Sequence, residues 1–153
     1  MNSKPKSNAS HARRQSGLSL IEVLIAVLIL GVGMLGIAAL QAVALKNNQS
    51  SMARSQAVFQ TYGMLDAMRA NLDVARNNGY NLAKTCTAFT GTTLVTRDQA
   101  MWINALHQSI GGSGTTCGAI NCANRVCTIT VTWNDERGTG GDAAQTLTTV
   151  SRL

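Results

Sequence analysis

The chain has 153 residues with 13 Lys+Arg against 7 Asp+Glu, a formal net charge of +6, and 45% hydrophobic residues. Residues 1–17 hold four of the positive charges and no acid, so residues 18–153 carry 9 Lys+Arg against 7 Asp+Glu, a net of +2. A mild surplus of that size excludes the strongly basic surface that nucleic-acid binding requires, and the length suits a single small domain.

In chain order, the basic residues Lys4, Lys6, Arg13 and Arg14 run into Gly17, then Leu18-Ser19-Leu20-Ile21-Glu22 and an apolar run with no further charge until Lys46. Positively charged flanks stay on the cytoplasmic side of a membrane, so everything past about residue 45 is expected outside the cytoplasm. An ordinary secretory signal has an apolar region of roughly 7–15 residues and a small-x-small cleavage site. Ala42-Val43-Ala44 offers such a site, but residues 23–40 alone give 18 uncharged residues, and Glu22 fits a signal poorly. A plain membrane anchor accounts for the length but for neither Gly17 nor Glu22. A carboxylate at the end of a membrane helix costs several kcal/mol unless partnered, which marks Glu22 as functional.

Residues 41–77 lack proline and are rich in Ala, Met, Leu, Gln and Arg, good helix formers. Val58, Tyr62, Leu65, Met68 or Arg69, and Leu72 recur at spacings of three and four and predict an apolar stripe. Asn77-Asn78-Gly79 predicts the stop. A helix over residues 18–77 would be about 90 Å long at roughly 1.5 Å per residue. Its second half must be covered by the rest of the chain. Gly31, Gly33 and Gly36 interrupt the apolar half, either for close helix packing or as a stretch that unwinds when the helix leaves lipid.

Residues 81–95 read as a Thr-rich connection with one short strand. Residues 97–110 predict a helix with Met101, Trp102, Ala105, Leu106 and Ile110 on one face, ended by Gly111-Gly112. Residues 113–126 read as a Gly/Thr/Asn-rich loop holding two cysteines. Cys127, Ile129, Val131 and Trp133 alternate with polar residues, the signature of a half-buried strand. A turn over 134–142 precedes a weaker alternation in 144–152. The elements sum to an α+β arrangement: a long N-terminal helix, its first half membrane-spanning, packed at its second half against a small antiparallel sheet.

Cys86, Cys117, Cys122 and Cys127 all lie in the exported part, where an oxidising compartment favours disulfides. Two bridges are expected, with Cys117–Cys127 and Cys86–Cys122 as first choice because the former closes a hairpin-like loop. The alternative is a zinc knuckle built from the Cys-x4-Cys-x4-Cys run, although structural zinc more often uses tighter C-x2-4-C pairs. Signals of catalysis are thin. His107 has no acid or cysteine at ligand spacing, Asp135-Glu136 are adjacent acids in a turn expected to be exposed, and Gly111-Gly112-Ser113-Gly114 lacks a phosphate-loop lysine. No enzyme activity, cofactor or metal is expected.

RRQSGLSLIEVLIAVLILGVGMLGIAALQ, followed by TYGMLDAMRANLD, a Trp-bearing helix and TITVTWND, resembles the prepilins, and among them the PilV-type minor pilins of type IV pili. Leu18 stands where the family usually has Phe. The resemblance implies a pilin-like fold and cleavage by a prepilin peptidase between Gly17 and Leu18, with N-methylation of Leu18. It implies that Glu22 meets a neighbouring subunit's N-terminal amine during assembly. It further implies a cleaved leader (1–17), a transmembrane and assembly half of the helix (18–45), a periplasmic half (46–78) and a globular domain (79–153). The implied partners are other minor pilins, the major pilin, a large tip adhesin and the inner-membrane assembly platform. The leader motif is shared with pseudopilins of type II secretion, which stand as the alternative; a signal-anchored periplasmic enzyme or binding domain is a remoter one.

Overall fold

A computed structural model describes Gly17 and residues 19–153. The leader charges and Leu18, the expected methylation site, lie outside the described residues. The chain divides into two compact units, Met1–Leu40 and Gln41–Leu153. Helix α1 covers Leu20–Ala70, followed by the short α2, Leu72–Arg76. Strand β1, Leu82–Thr85, and helix α3, Leu94–Ser109, come next. Strands β2, Cys117–Ala123, β3, Val126–Trp133, and β4, Gln145–Arg152, complete the chain. The four strands form one antiparallel sheet in the order β1-β2-β3-β4. This is the α+β, pilin-like architecture expected from the sequence.

The core of the second unit joins Met64, Leu65 and Met68 of α1 to Trp102, Ile103 and Leu106 of α3 and to Ile120, Ile129, Val131 and Trp133 of the sheet. The strict alternation of β3 holds: Cys127, Ile129, Val131 and Trp133 are all buried. On α1 the expected stripe holds at Leu65 and Met68, with Leu72 packed against the core, but its earlier part is shifted by one residue. Ala57, Thr61, Met64, Leu65 and Met68 are buried, whereas Val58 and Tyr62 are 39% and 54% exposed. Both sets have helical spacing, but Ala57 and Thr61 are small enough for close approach. The Thr61 hydroxyl satisfies itself by donating to the Ala57 carbonyl at 2.7 Å.

The long helix also breaks once, at Asn71, before the predicted stop. The Asn71 side-chain amide donates to the Tyr80 hydroxyl at 3.3 Å, and that hydroxyl donates to Asp98 Oδ2 at 2.7 Å. Gln99 Nε2 reaches the Tyr80 carbonyl at 3.0 Å, so one fully buried tyrosine ties the end of α1 to α3. After α2 the chain turns at Asn78, whose φ of 64° is left-handed, and the Gly79 N–H closes on the Val74 carbonyl at 2.9 Å.

Helix α3 starts three residues earlier than predicted because Thr93 and Thr96 form a reciprocal capping box. Threonine at the third helical position replaces the usual Glu or Gln, which hides the signal. Met101, placed on the buried face by spacing, is exposed; Ile103 takes its place.

The predicted loop over 113–126 is largely strand β2. Its glycine explains the misreading: a Cβ at Gly118 would lie 2.5 Å from the Trp102 ring, so α3 packs directly on the strand backbone. Asn124 and Arg125 both have positive φ, 51° and 66°, the two-residue turn that suits a right-twisted hairpin. Cys122 and Cys127 therefore face each other across the ladder, and the bridges are Cys86–Cys117 and Cys122–Cys127. This overturns the first-choice pairing: in this register Cys117 lies opposite Thr132, far along the hairpin from Cys127. With all four thiols in disulfides, none remains to build the zinc knuckle.

Two outcomes are expected in the full chain. Cys122→Ser with Cys127→Ser leaves no alkylatable thiol in the unreduced, unfolded protein; two thiols there would restore the crossed pairing. Burial, then the hydrogen bond to Asp98, raises the Tyr80 hydroxyl above its ordinary pKa. A group whose folded pKa is raised contributes stability that is fully present below its unfolded pKa, about 10. That contribution is lost as pH rises through the folded value. The urea midpoint should therefore fall more steeply above about pH 10 in the native chain than in Tyr80→Phe, and parallel profiles would remove Tyr80 from the alkaline transition.

Candidate functional site

Gly17 is exposed and lies just outside α1. The helix opens with the Glu22 and Val23 N–H groups donating to the Ser19 carbonyl at 3.0 and 3.2 Å. Glu22 sits in the first turn, where a carboxylate complements the unpaired N–H groups of a helix start. It is the only charged residue between Arg14 and Lys46. Gly17 and Glu22 lie five residues apart in the chain, at the entry to the helix.

From Leu20 through Leu45, α1 offers no buried side chain within the chain itself. Leu24, Leu28 and Leu35 are 64%, 67% and 73% exposed, and no residue of the most apolar 18-residue window is buried. Soluble monomers rarely expose contiguous apolar patches beyond a few hundred Å². A continuous apolar helix surface of this length requires lipid or partner helices. Gly31, Gly33 and Gly36 are helical here, and a Cβ added at any of them would meet nothing within 4 Å. They leave shallow, unfilled positions on that surface.

The structure also assembles polar groups that spacing kept apart. Asp135, expected to be exposed with Glu136, is 5% exposed, and only Glu136 faces solvent. The Ser50 hydroxyl donates to Asp135 Oδ2 at 2.6 Å, and Arg54 lies 3.7 Å from the same oxygen. The Thr139 N–H donates to Asn47 Oδ1 at 3.0 Å. The 134–142 loop is thereby fastened to residues 47–54 of α1. A Cβ at Gly141 would strike the Asp135 carbonyl, so the loop closes tightly on itself. No local sequence signal pairs Ser50 with Asp135, 85 residues away. His107, by contrast, is half-buried with Nε2 3.0 Å from the Thr116 carbonyl, a structural contact. Among the described residues, no group of three or more His, Cys, Asp or Glu is placed to hold a metal.

Residues 12–38 match the family model described as the prokaryotic N-terminal methylation motif. No curated protein and no solved structure matches the chain. The matched segment contains Gly17, Leu18, Glu22 and the three glycines, and it covers most of the bare apolar helix. The N-terminal segment therefore carries a prokaryotic N-terminal methylation motif, which supports a type IV pilin-like prepilin.

Proposed function

We propose that this chain is a minor pilin of the PilV type, a low-abundance subunit that helps initiate type IV pilus assembly with other minor pilins and a tip adhesin. The observation that carries the proposal is the methylation motif over residues 12–38, running into the first part of α1, residues 20–45, whose apolar surface is bare and whose only charge is Glu22. Residues 1–17 act as a cytoplasmic leader removed by the prepilin peptidase after Gly17, and Leu18 becomes the methylated N-terminus. Residues 18–45 hold the subunit in the inner membrane, with the helix continuation 46–78 and the domain 79–153 in the periplasm.

Cleavage puts the positive α-amine of Leu18 four residues before the carboxylate of Glu22 in the chain. Two charges in lipid are costly without compensation, and a neighbour's opposite charge supplies it. Glu22 then meets the N-terminal amine of an adjacent subunit and sets the axial stagger in the fibre. The glycines at 31, 33 and 36 lower helix stability by about 1 kcal/mol each relative to alanine, which favours local unwinding as the helix passes from lipid to fibre.

Processing and assembly separate in the test. Gly17→Val should leave an uncut, membrane-held precursor. Glu22→Val should be cut after Gly17 and stay in the inner membrane, yet be missing from sheared pili, since stranding one partner of a buried pair costs about 3–5 kcal/mol. Normal entry of Glu22→Val into fibres would reject the charge-pairing role. A deletion strain that loses protein secretion and keeps twitching motility would move the subunit to a type II secretion system.

A further inference from the structure

An open cavity of about 230 Å³ lies at the Ser50–Asp135 link, lined by Lys46, Gln49 and Ser50 of α1, by Ile110, and by Asn134, Asp135 and Arg137 of the 134–142 loop. Its volume is below the roughly 300–1,000 Å³ of pockets that enclose a whole small molecule. The cavity suits one end of a ligand. Two cations, Lys46 and Arg137, line it, and among the described residues neither has a carboxylate within ion-pairing distance. The one acid in the lining, Asp135, is buried and its Oδ2 is taken by the Ser50 hydroxyl and by Arg54, and Glu136 Oε2 accepts from the Asn134 amide at 3.1 Å. The remaining polar lining, the amides of Gln49 and Asn134, can donate to anionic oxygens. A lining of two cations and amide donors suits a phosphate group.

Its position along the chain says where that phosphate comes from. The apolar run ends at Leu45, and Lys46 is the next residue. Residues 20–45 of α1 extend about 39 Å at roughly 1.5 Å per residue, close to the 40–45 Å of a bilayer with its headgroups. A helix spanning with its start at the cytoplasmic face therefore brings Lys46 out at headgroup level. Gln49, Ser50 and Ala53 line the cavity from the next two turns. Ala53 and Ile110 add an apolar wall that suits a glycerol backbone better than a free ion.

We propose that this cavity holds the phosphate of an anionic phospholipid in the outer leaflet of the inner membrane, fastening the base of the domain to the bilayer before assembly. The proposal rests on the membrane-spanning reading of residues 18–45. Each Lys or Arg at a membrane surface strengthens anionic-lipid binding about fivefold. The full chain is reconstituted in bilayers of phosphatidylcholine alone or of equimolar phosphatidylcholine and phosphatidylglycerol, and insertion is scored separately by resistance to alkaline carbonate. Hydrogen exchange of the 134–142 amides should slow when phosphatidylglycerol is present. The share of detergent-released chain retaining one phosphatidylglycerol, read by native mass spectrometry, should fall about fivefold in Lys46→Gln and in Arg137→Gln. Arg152→Gln, on β4 away from the cavity, should match the unaltered chain. Inserted protein with no phosphatidylglycerol-dependent protection would overturn the site while leaving the anchor intact. Equal protection by millimolar inorganic phosphate in phosphatidylcholine bilayers would overturn the lipid source. A chain that carbonate extracts would overturn the anchor reading and the proposal with it.

Discussion

One face of α1, from Ala57 to Met68, is what the second unit is built to cover. The sheet alone cannot do it, because a sheet has a single face to offer and must itself be closed against something apolar. Helix α3 completes the cover: Trp102, Ile103 and Leu106 meet the same cluster as Met64, Leu65 and Met68. The glycine at 118 lets α3 sit directly on the backbone of β2. Tyr80 then joins α1 and α3 by hydrogen bonds at the helix break, so the covering helix is held by direction as well as by burial.

The disulfides stand where this covering layer is thinnest. Strand β1 has four residues and an irregular register, and the chain from Cys86 to Thr93 has no ladder of its own. Cys86–Cys117 ties that stretch to the start of β2, and Cys122–Cys127 closes the hairpin around the Asn124-Arg125 turn. A bridge of this kind contributes roughly 2–4 kcal/mol, a large share of the stability of a small domain.

The apolar half of α1 obeys a different solvent. Its side chains find no partner within the chain, and a single carboxylate at its start is the one group that lipid cannot satisfy. That segment needs an environment that supplies both apolar contact and a counter-charge, and it is the segment on which the methylation motif lies. The 134–142 loop, fastened to residues 47–54 through Asp135, marks where covering by the chain itself begins.

The sequence by itself determined the features that depend on local chemistry. The bare helix follows from an unbroken apolar run, the N-terminal methylation motif from the residues around Gly17 and Glu22, and β3 from strict alternation between Cys127 and Trp133. Those signals need no knowledge of what packs against them. Tertiary structure alone decided which rotation of α1 is buried, since two stripes one residue apart share the same spacing and only the approach of the sheet chooses Ala57 and Thr61. It decided the strand character of residues 117–123, because Gly118 reads as a loop residue until α3 is laid upon it. It decided the cysteine pairing through hairpin register, and it buried Asp135 through a serine 85 residues away. Each of these depends on two segments meeting in space, and a contact between distant segments leaves no periodic mark in either one.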